Sequence, residues 1–412
     1  MKSSVSSTAM APTTRDTTLI ENLVIRFFAY KFEKAGVNAI QIEYKGSVIR
    51  AGVKNTAYPV PQVKVIRLKA LLSGLHGGMV GLSEAYVAGD WDTSDLDLVT
   101  DWALKNRSSI KMALKGNMVF KGLSKLHHRL NQNTRAGSKK NIAFHYDLGN
   151  DFYRLWLDRT MSYSSALFSD ENESLEAAQQ NKYRRIIELL DPQAKQKVLE
   201  IGCGWGGFAE TLLTEHDVTL DAITLSEKQL AWAKNRMAEI PNEKLNFSLT
   251  DYRDLSDKEH AYDRIASIEM LEAVGEAYWP TYFSTLKKCL KPGGIAVIQV
   301  ITIDDEIFPE YRRTPDFIQR YIFPGGMLPS PMVMREQIGK AGLSLSEEQS
   351  FGLDYAKTLQ YWAKNFEQAW PEIAAQGFNQ RFKRLWRYYL AYCQSGFKAG
   401  TIDVRFYRII NE

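Results

Sequence analysis

The spacing of apolar positions changes character near residue 197. Beyond it, short apolar runs, KVLEIG (197–202), TLDAITLS (219–226), LNFSLT (245–250), YDRIASIE (262–269) and GIAVIQVI (294–301), alternate with segments such as 227–239 and 279–290 that repeat at helical spacing. Strand and helix in alternation predict a parallel sheet with crossover helices, and KPGG at 291–294 reads as the turn before the fifth strand. Upstream, 18–35 reads as a helix, 38–70 as strand-like runs broken by KGS and KNTAYPVP, and 74–106 as a turn-rich stretch leading into helices. NTRAGSKKN (133–141) carries the composition of a boundary. The predicted organisation is a tail over 1–17, an N-terminal domain over 18–136 and an α/β domain over 137–412.

Composition adds constraints. A chain of 412 residues with 45% apolar and 24% charged residues is globular, with room for two domains. Cys203, Cys289 and Cys393 are far apart and show no C-x-x-C spacing, so no disulfide framework and no metal site is indicated, and a reduced, cytoplasmic setting fits. The first sixteen residues lack the apolar core of a secretory signal, and no run approaches the roughly 18 apolar residues of a spanning helix. If a membrane is involved, the expectation is a peripheral protein on its inner face.

The net charge of +4 is ordinary, but residues 105–140 hold ten Lys/Arg and no Asp or Glu. Within them Met112, Leu114, Met118, Val119, Leu123, Leu126 and Leu130 recur at roughly helical spacing between Lys111, Lys115, Lys121, Lys125 and Arg129. A cationic amphipathic helix suits an anionic lipid surface; the plainer reading is a solvated helix packed on its own protein. Nucleic acid is disfavoured, because the zone has a single aromatic residue, Phe120, and no recognised motif.

The chemistry concentrates in VLEIGCGWGGF (198–208). Gly202, Gly204 and Gly207 satisfy G-x-G-x-x-G, the dinucleotide spacing, while Gly202, Gly204 and Gly206 satisfy the G-x-G-x-G of an S-adenosylmethionine loop. Ligands of such sheets sit at the carboxyl ends of the strands, which here are Glu200 and Gly202, Thr224 and Leu225, Asp251, and Glu269. A dinucleotide ribose calls for an acid ending the second strand, where this chain has Thr-Leu-Ser. DYRDL (251–255) after the third strand favours S-adenosylmethionine: the Asp251 carboxylate can accept from the adenine amino group while Tyr252 lies on the ring face.

NIAFHYDLGNDFYRLWLDRTMSYSSALF (141–168), VLEIGCGWGG (198–207), DYRDL (251–255), EMLEAVG (269–275), RYIFPGGMLPS (320–330) and YYLAYC (388–393), with GLSEAYVAGDWDTSDLD (81–97) upstream, together resemble the cyclopropane-fatty-acyl-phospholipid synthases over nearly the whole chain. The resemblance implies a Rossmann-like class I methyltransferase sheet, a smaller N-terminal lipid-interacting domain, and transfer of a methyl group from S-adenosylmethionine to a cis double bond of an unsaturated phospholipid acyl chain, giving a cyclopropane. The alternatives are a methyl-branched or methylene product from the same transfer, a small-molecule methyltransferase, and a non-catalytic lipid-binding protein. A homodimer is also implied.

For the cofactor it implies Tyr163 and Ser164 at the methionine carboxylate, Gly202 and Gly204 at the loop, Thr224, Leu225 and Gln229 at the ribose and adenine edge, and Tyr252 and Arg253 closing over the base. The methylated chain is a carbocation, which aromatic faces stabilise; Phe351, Tyr355, Tyr361, Trp362, Trp386, Tyr388 and Tyr389 are the candidates. A base then removes a proton. In the family a bicarbonate ion does so, and Glu272, Ile301 and Tyr355 match its positions. Two positions depart from the common pattern: Ser165 replaces a cysteine and Gln299 a histidine, and neither replacement titrates near neutral pH. Cys393 matches a cysteine once considered catalytic, with a small buried hydrophobe as the plainer reading, and His145 reads equally as an active-site or a structural hydrogen-bonding group.

Overall fold

The structure, a computed structural model, describes residues 18–55, 58–114 and 148–412. The chain divides into two compact units, residues 1–116 and 117–412. The boundary expected after residue 136, His145 and most of the basic zone lie outside the described residues. Helices are labelled below with single turns left out.

In the N-terminal unit, α1 (Leu19–Lys34) begins with a capping box in which Thr18 and Glu21 exchange side-chain and backbone hydrogen bonds. Its inner face, Ile25, Phe28 and Phe32, is buried, and Phe32 packs on Trp102 of α3 (Leu96–Lys105). The sheet order is β2-β1-β3-β4, from β1 (Ile40–Tyr44), β2 (Ser47–Ala51), β3 (Gln62–Val65) and β4 (Trp91–Asp92). The stretch expected to be turn-rich is largely α2 (Lys69–Val87). Its glycines mislead local reading: Gly78, at φ +60°, kinks the helix rather than ending it. Helix α4 (Arg107–Ala113) completes the described part of the unit.

The second unit carries a seven-stranded sheet in the order β10-β11-β9-β8-β5-β6-β7. Strands β5 (Lys197–Ile201), β6 (Thr219–Thr224), β7 (Leu245–Leu249), β8 (Tyr262–Ile268) and β9 (Leu290–Ile303) are mutually parallel and fall where the apolar runs predict them. β10 (Ser344–Ser350) and β11 (Ile402–Ile410) add an antiparallel edge, so the sheet is mixed rather than parallel throughout. KPGG lies inside β9: Gly293, at φ +74°, accompanies a register shift between Tyr262 and Arg264 on the neighbouring strand, a bulge and not a turn.

Helices α5 (Leu175–Leu190), α6 (Gly207–Glu215), α7 (Glu227–Arg236), α8 (Trp279–Cys289), α9 (Pro331–Lys340), α10 (Gly352–Ala375) and α11 (Gln380–Lys398) surround the sheet. One core cluster joins Leu199, Ile265, Ile298 and Val300 of the strands to Trp279, Tyr282, Phe283 and Leu286 of α8. Strand order reverses between β5 and β8, and the crevice beyond their carboxyl ends is where such a sheet places a ligand.

Candidate active site

The first glycines of the loop after β5 answer to backbone geometry. Gly202 and Gly204 have φ of +88° and +51°, the left-handed region that favours glycine. A Cβ on Gly202 would meet the Met270 side chain at 3.1 Å, whereas one on Gly204 would project into open space. Gly207 is required by packing: a Cβ there would sit 2.5 Å from the Tyr183 hydroxyl of α5. The third glycine of the dinucleotide spacing therefore serves helix packing here.

Tyr163, Ser164, Gly202, Gly204, Thr224, Leu225, Gln229, Asp251, Tyr252 and Arg253, all ten residues assigned to a cofactor, line a single cleft. Local structure explains their placement. Ser226 caps α7 by accepting from the Gln229 N–H, which brings Gln229 back toward Thr224 at the end of β6. The Asp251 carboxylate caps the turn after β7 and is held by the Arg253 guanidinium, so an adenine amino group would share that carboxylate with Arg253. Tyr252 is buried edge-on against Tyr282.

The residues expected around the acceptor also converge, with a different centre. Glu269, at the end of β8 and lining the same cleft, accepts from the Ser165 N–H (2.8 Å), the Gln299 amide (2.7 Å) and the Tyr355 hydroxyl (2.7 Å). The Ile301 N–H donates to Glu272, whose second oxygen is buried without a partner. Tyr355 therefore bonds Glu269 and not Glu272. Ser165 contributes its backbone, since its hydroxyl donates to the Ala166 carbonyl; the exchange of cysteine for serine leaves that N–H in place. The Ile301 N–H and the Tyr355 hydroxyl, the two donors matched to a bicarbonate site, are each taken by one of the chain's own carboxyl groups, so these residues as arranged do not cradle the ion.

Burial dominates the electrostatics. It pushes the Glu272 carboxyl up to about 8, helped by the Glu269 charge. Burial also raises Glu269, opposed by its three donors and by the Lys182 ammonium. Glu200, 2% exposed on β5, is raised to about 8 for the same reason, and one of its oxygens has no partner. Lys182 of α5 is fully buried and brought down to about 7; its ammonium donates to Ser164 (2.7 Å) and lies over the Tyr183 ring. Neither Lys182 nor Glu269 was singled out as a site residue. Lys182 has no sequence signal, because an isolated lysine in an amphipathic helix reads as solvated; Glu269 had one, its place at a strand end.

Cys393 lies on α11 outside the cleft lining, its thiol pushed well up by burial and by the Asp316 charge. Of the aromatic candidates, Trp362 packs on the cleft residue Tyr163 (5.2 Å), the Tyr389 hydroxyl bonds that of Tyr163 (2.8 Å), and Tyr355 packs on Trp362. Trp386 backs Tyr389. Phe351, Tyr361 and Tyr388 pack elsewhere, on Phe406, Phe168 and Phe317.

Residues 133–407 match the family described as mycolic acid cyclopropane synthetase. The chain belongs to that family. It is 34% identical over 359 residues, 82% of this chain and 80% of the other, to the tuberculostearic acid methyltransferase UfaA1 of Mycobacterium tuberculosis. It is 33% identical over 360 residues, 86% of this chain and 89% of the other, to the cyclopropane-fatty-acyl-phospholipid synthase of Escherichia coli K12. The solved structure of mycolic acid cyclopropane synthase CmaA1 complexed with SAH and CTAB superposes with a TM-score of 0.61 at 29% identity, over 66% of this chain and 98% of that one. This mycolic acid cyclopropane synthetase family member is an S-adenosylmethionine-dependent methyltransferase of lipid acyl chains. The loop and its open face at Gly204 fit that cofactor, and no acid ends β6 to serve a dinucleotide.

Proposed function

We propose that the protein methylates a cis double bond in an unsaturated phospholipid acyl chain and closes it to a cyclopropane, working on the anionic inner face of a membrane. S-adenosylmethionine, when bound, supplies an electrophilic methyl group and retains the bonding pair on sulfur. The protein's part is to exclude water, seat the chain, stabilise its cation and remove one proton. What carries the reading is a single cofactor cleft lined both by Tyr163, which Trp362 and Tyr389 back, and by the Glu269 carboxyl group. Aromatic faces stabilise a cation through their quadrupole without capturing it as a nucleophile would.

Support for a membrane partner comes from α1. Leu19 (89% exposed), Leu23 (71%), Phe27 and Tyr30 form an exposed stripe at helical spacing, with Lys31 over the Phe27 ring and Lys34 over Tyr30. No helix among the described residues is long and apolar enough to cross a membrane.

The test is expression in a host fed methionine with an isotopically labelled methyl group, followed by mass spectrometry of its phospholipids. Label in an acyl chain whose ring protons appear by NMR is the expected result. Label in a methyl-branched or methylene chain would replace the cyclopropane product while keeping the methyl transfer, and no labelled acyl chain would overturn the proposal.

A further inference from the structure

The two donors that the family resemblance gives to a bicarbonate ion, the Ile301 N–H and the Tyr355 hydroxyl, are here occupied. The Ser165 N–H, the Gln299 amide and the Tyr355 hydroxyl converge on Glu269, and the Ile301 N–H goes to Glu272. An ion entering between them would displace hydrogen bonds already made to carboxyl groups and would meet the Glu269 carboxylate, whose charge repels it. Three donors on one carboxylate are the coordination that a small trigonal oxyanion would otherwise receive.

Two features separate Glu269 from an anchor that merely ties the 162–168 segment to the sheet. It lines the cofactor cleft and is partly exposed to it. It also has φ +50°, a left-handed conformation that disfavours a long side chain and that glycine adopts without strain. Strained backbone of this kind persists where surrounding structure holds it, commonly at functional sites.

We propose that the Glu269 carboxylate occupies the place of bicarbonate and is itself the proton acceptor of the reaction, a role that rests on the acyl-chain methylation proposed above. The π pair of the double bond becomes the bond to the incoming methyl carbon, leaving a cation on the acyl chain. A proton then passes to a Glu269 oxygen. The electron pair of the broken C–H bond closes the three-membered ring when the hydrogen comes from the new methyl group, or forms a new double bond when it comes from the adjacent chain carbon. Glu269 releases the proton to solvent before the next turnover. Glu272, with its anion disfavoured by burial and by its neighbour, is a positioning residue that holds the β9 backbone at Ile301.

The experiment compares the parent with Glu269→Gly, which suits the backbone at φ +50° and vacates the cradle. Each is assayed on dioleoylphosphatidylglycerol vesicles in buffer stripped of carbon dioxide and then supplemented with bicarbonate, and each is titrated with 13C-bicarbonate by NMR. The parent is expected to turn over equally with and without bicarbonate and to show no saturable binding. The variant is expected to fall by at least ~10²-fold, the scale of a lost acid–base group, and to recover saturably with bicarbonate while retaining affinity for S-adenosylhomocysteine. A parent that needs or saturably binds bicarbonate, or a variant fully active without it, would overturn the proposal. The parent measurements stand even if the variant does not fold. If neither protein methylates the vesicles, the acyl-chain reading fails by itself, and the NMR titration of the parent still decides whether the cradle is occupied by Glu269.

Discussion

Glu200 gives the fold a pH dependence that one substitution should remove. Its carboxyl is 2% exposed and raised from 4.5 to about 8 by burial. Between those two values the folded protein keeps a proton that the unfolded chain has already released. The contribution of such a group is therefore fully present below about pH 4.5 and is lost as pH rises through about 8. The slope is about 1.4 kcal/mol per pH unit per group, so Glu200 alone removes about 3 kcal/mol between pH 5 and 7. Glu272 acts with the same sign. Lys182 acts with the opposite one: brought down from 10.5 to about 7, it favours folding increasingly as pH rises above 7, which makes pH 5–7 the clean window. In Glu200→Gln the side chain stays neutral, and the Glu200 share of the slope should vanish. Urea denaturation of parent and variant, followed by tryptophan fluorescence at pH 5, 6 and 7, reads the difference directly, because every other titrating group contributes to both. Parallel curves would refute the reasoning and show that Glu200 is ionised in the folded protein, held so by Lys182.

Three further outcomes are expected. Gly202→Val should abolish S-adenosylhomocysteine binding in calorimetric titration while leaving the protein folded, since Gly202 lines the cleft and a side chain there would take cofactor space; φ +88° and the Met270 side chain at 3.1 Å add a stability cost of roughly 1–3 kcal/mol. Cys393→Ser should keep methylation within about a few-fold of the parent, because a thiol held protonated is not a nucleophile; a loss of ~10²-fold with intact cofactor affinity would give the sulfur a chemical role. Replacing Leu19, Leu23 and Phe27 together by serine should weaken sedimentation with vesicles by about 1 kcal/mol or more per residue, and high salt should leave that difference in place because the lost contact is apolar; unchanged sedimentation would free α1 of any membrane role.

The sequence by itself determined the parallel strands, their order of appearance and the glycine loop, and its motifs and family resemblance picked out ten residues that line one cleft. A strand or an amphipathic helix writes its burial into the spacing of neighbouring residues, and loop glycines answer to local backbone geometry. It misjudged α2, where Gly77 and Gly78 look like a break but only bend a helix whose buried residues lie on both sides of the kink. The antiparallel edge of β10 and β11 was illegible because pairing across Arg405 and Val300 joins segments with no shared local signal.

Tertiary structure alone decided the chemistry around the acceptor. Which carboxylate meets which donor depends on contacts such as Ser165 with Glu269, 104 residues apart, and Tyr355 with Glu269, 86 apart. Motif matching places Glu272, Ile301 and Tyr355 at one site, but it cannot say that Tyr355 turns to Glu269 instead, since hydrogen bonds a few ångströms long are set by how strands and helices pack. Lys182 shows the same limit. Its charge is legible anywhere in the chain, while its burial beside Ser164, which brings its ammonium down to about 7, exists only once α5 is laid against the sheet.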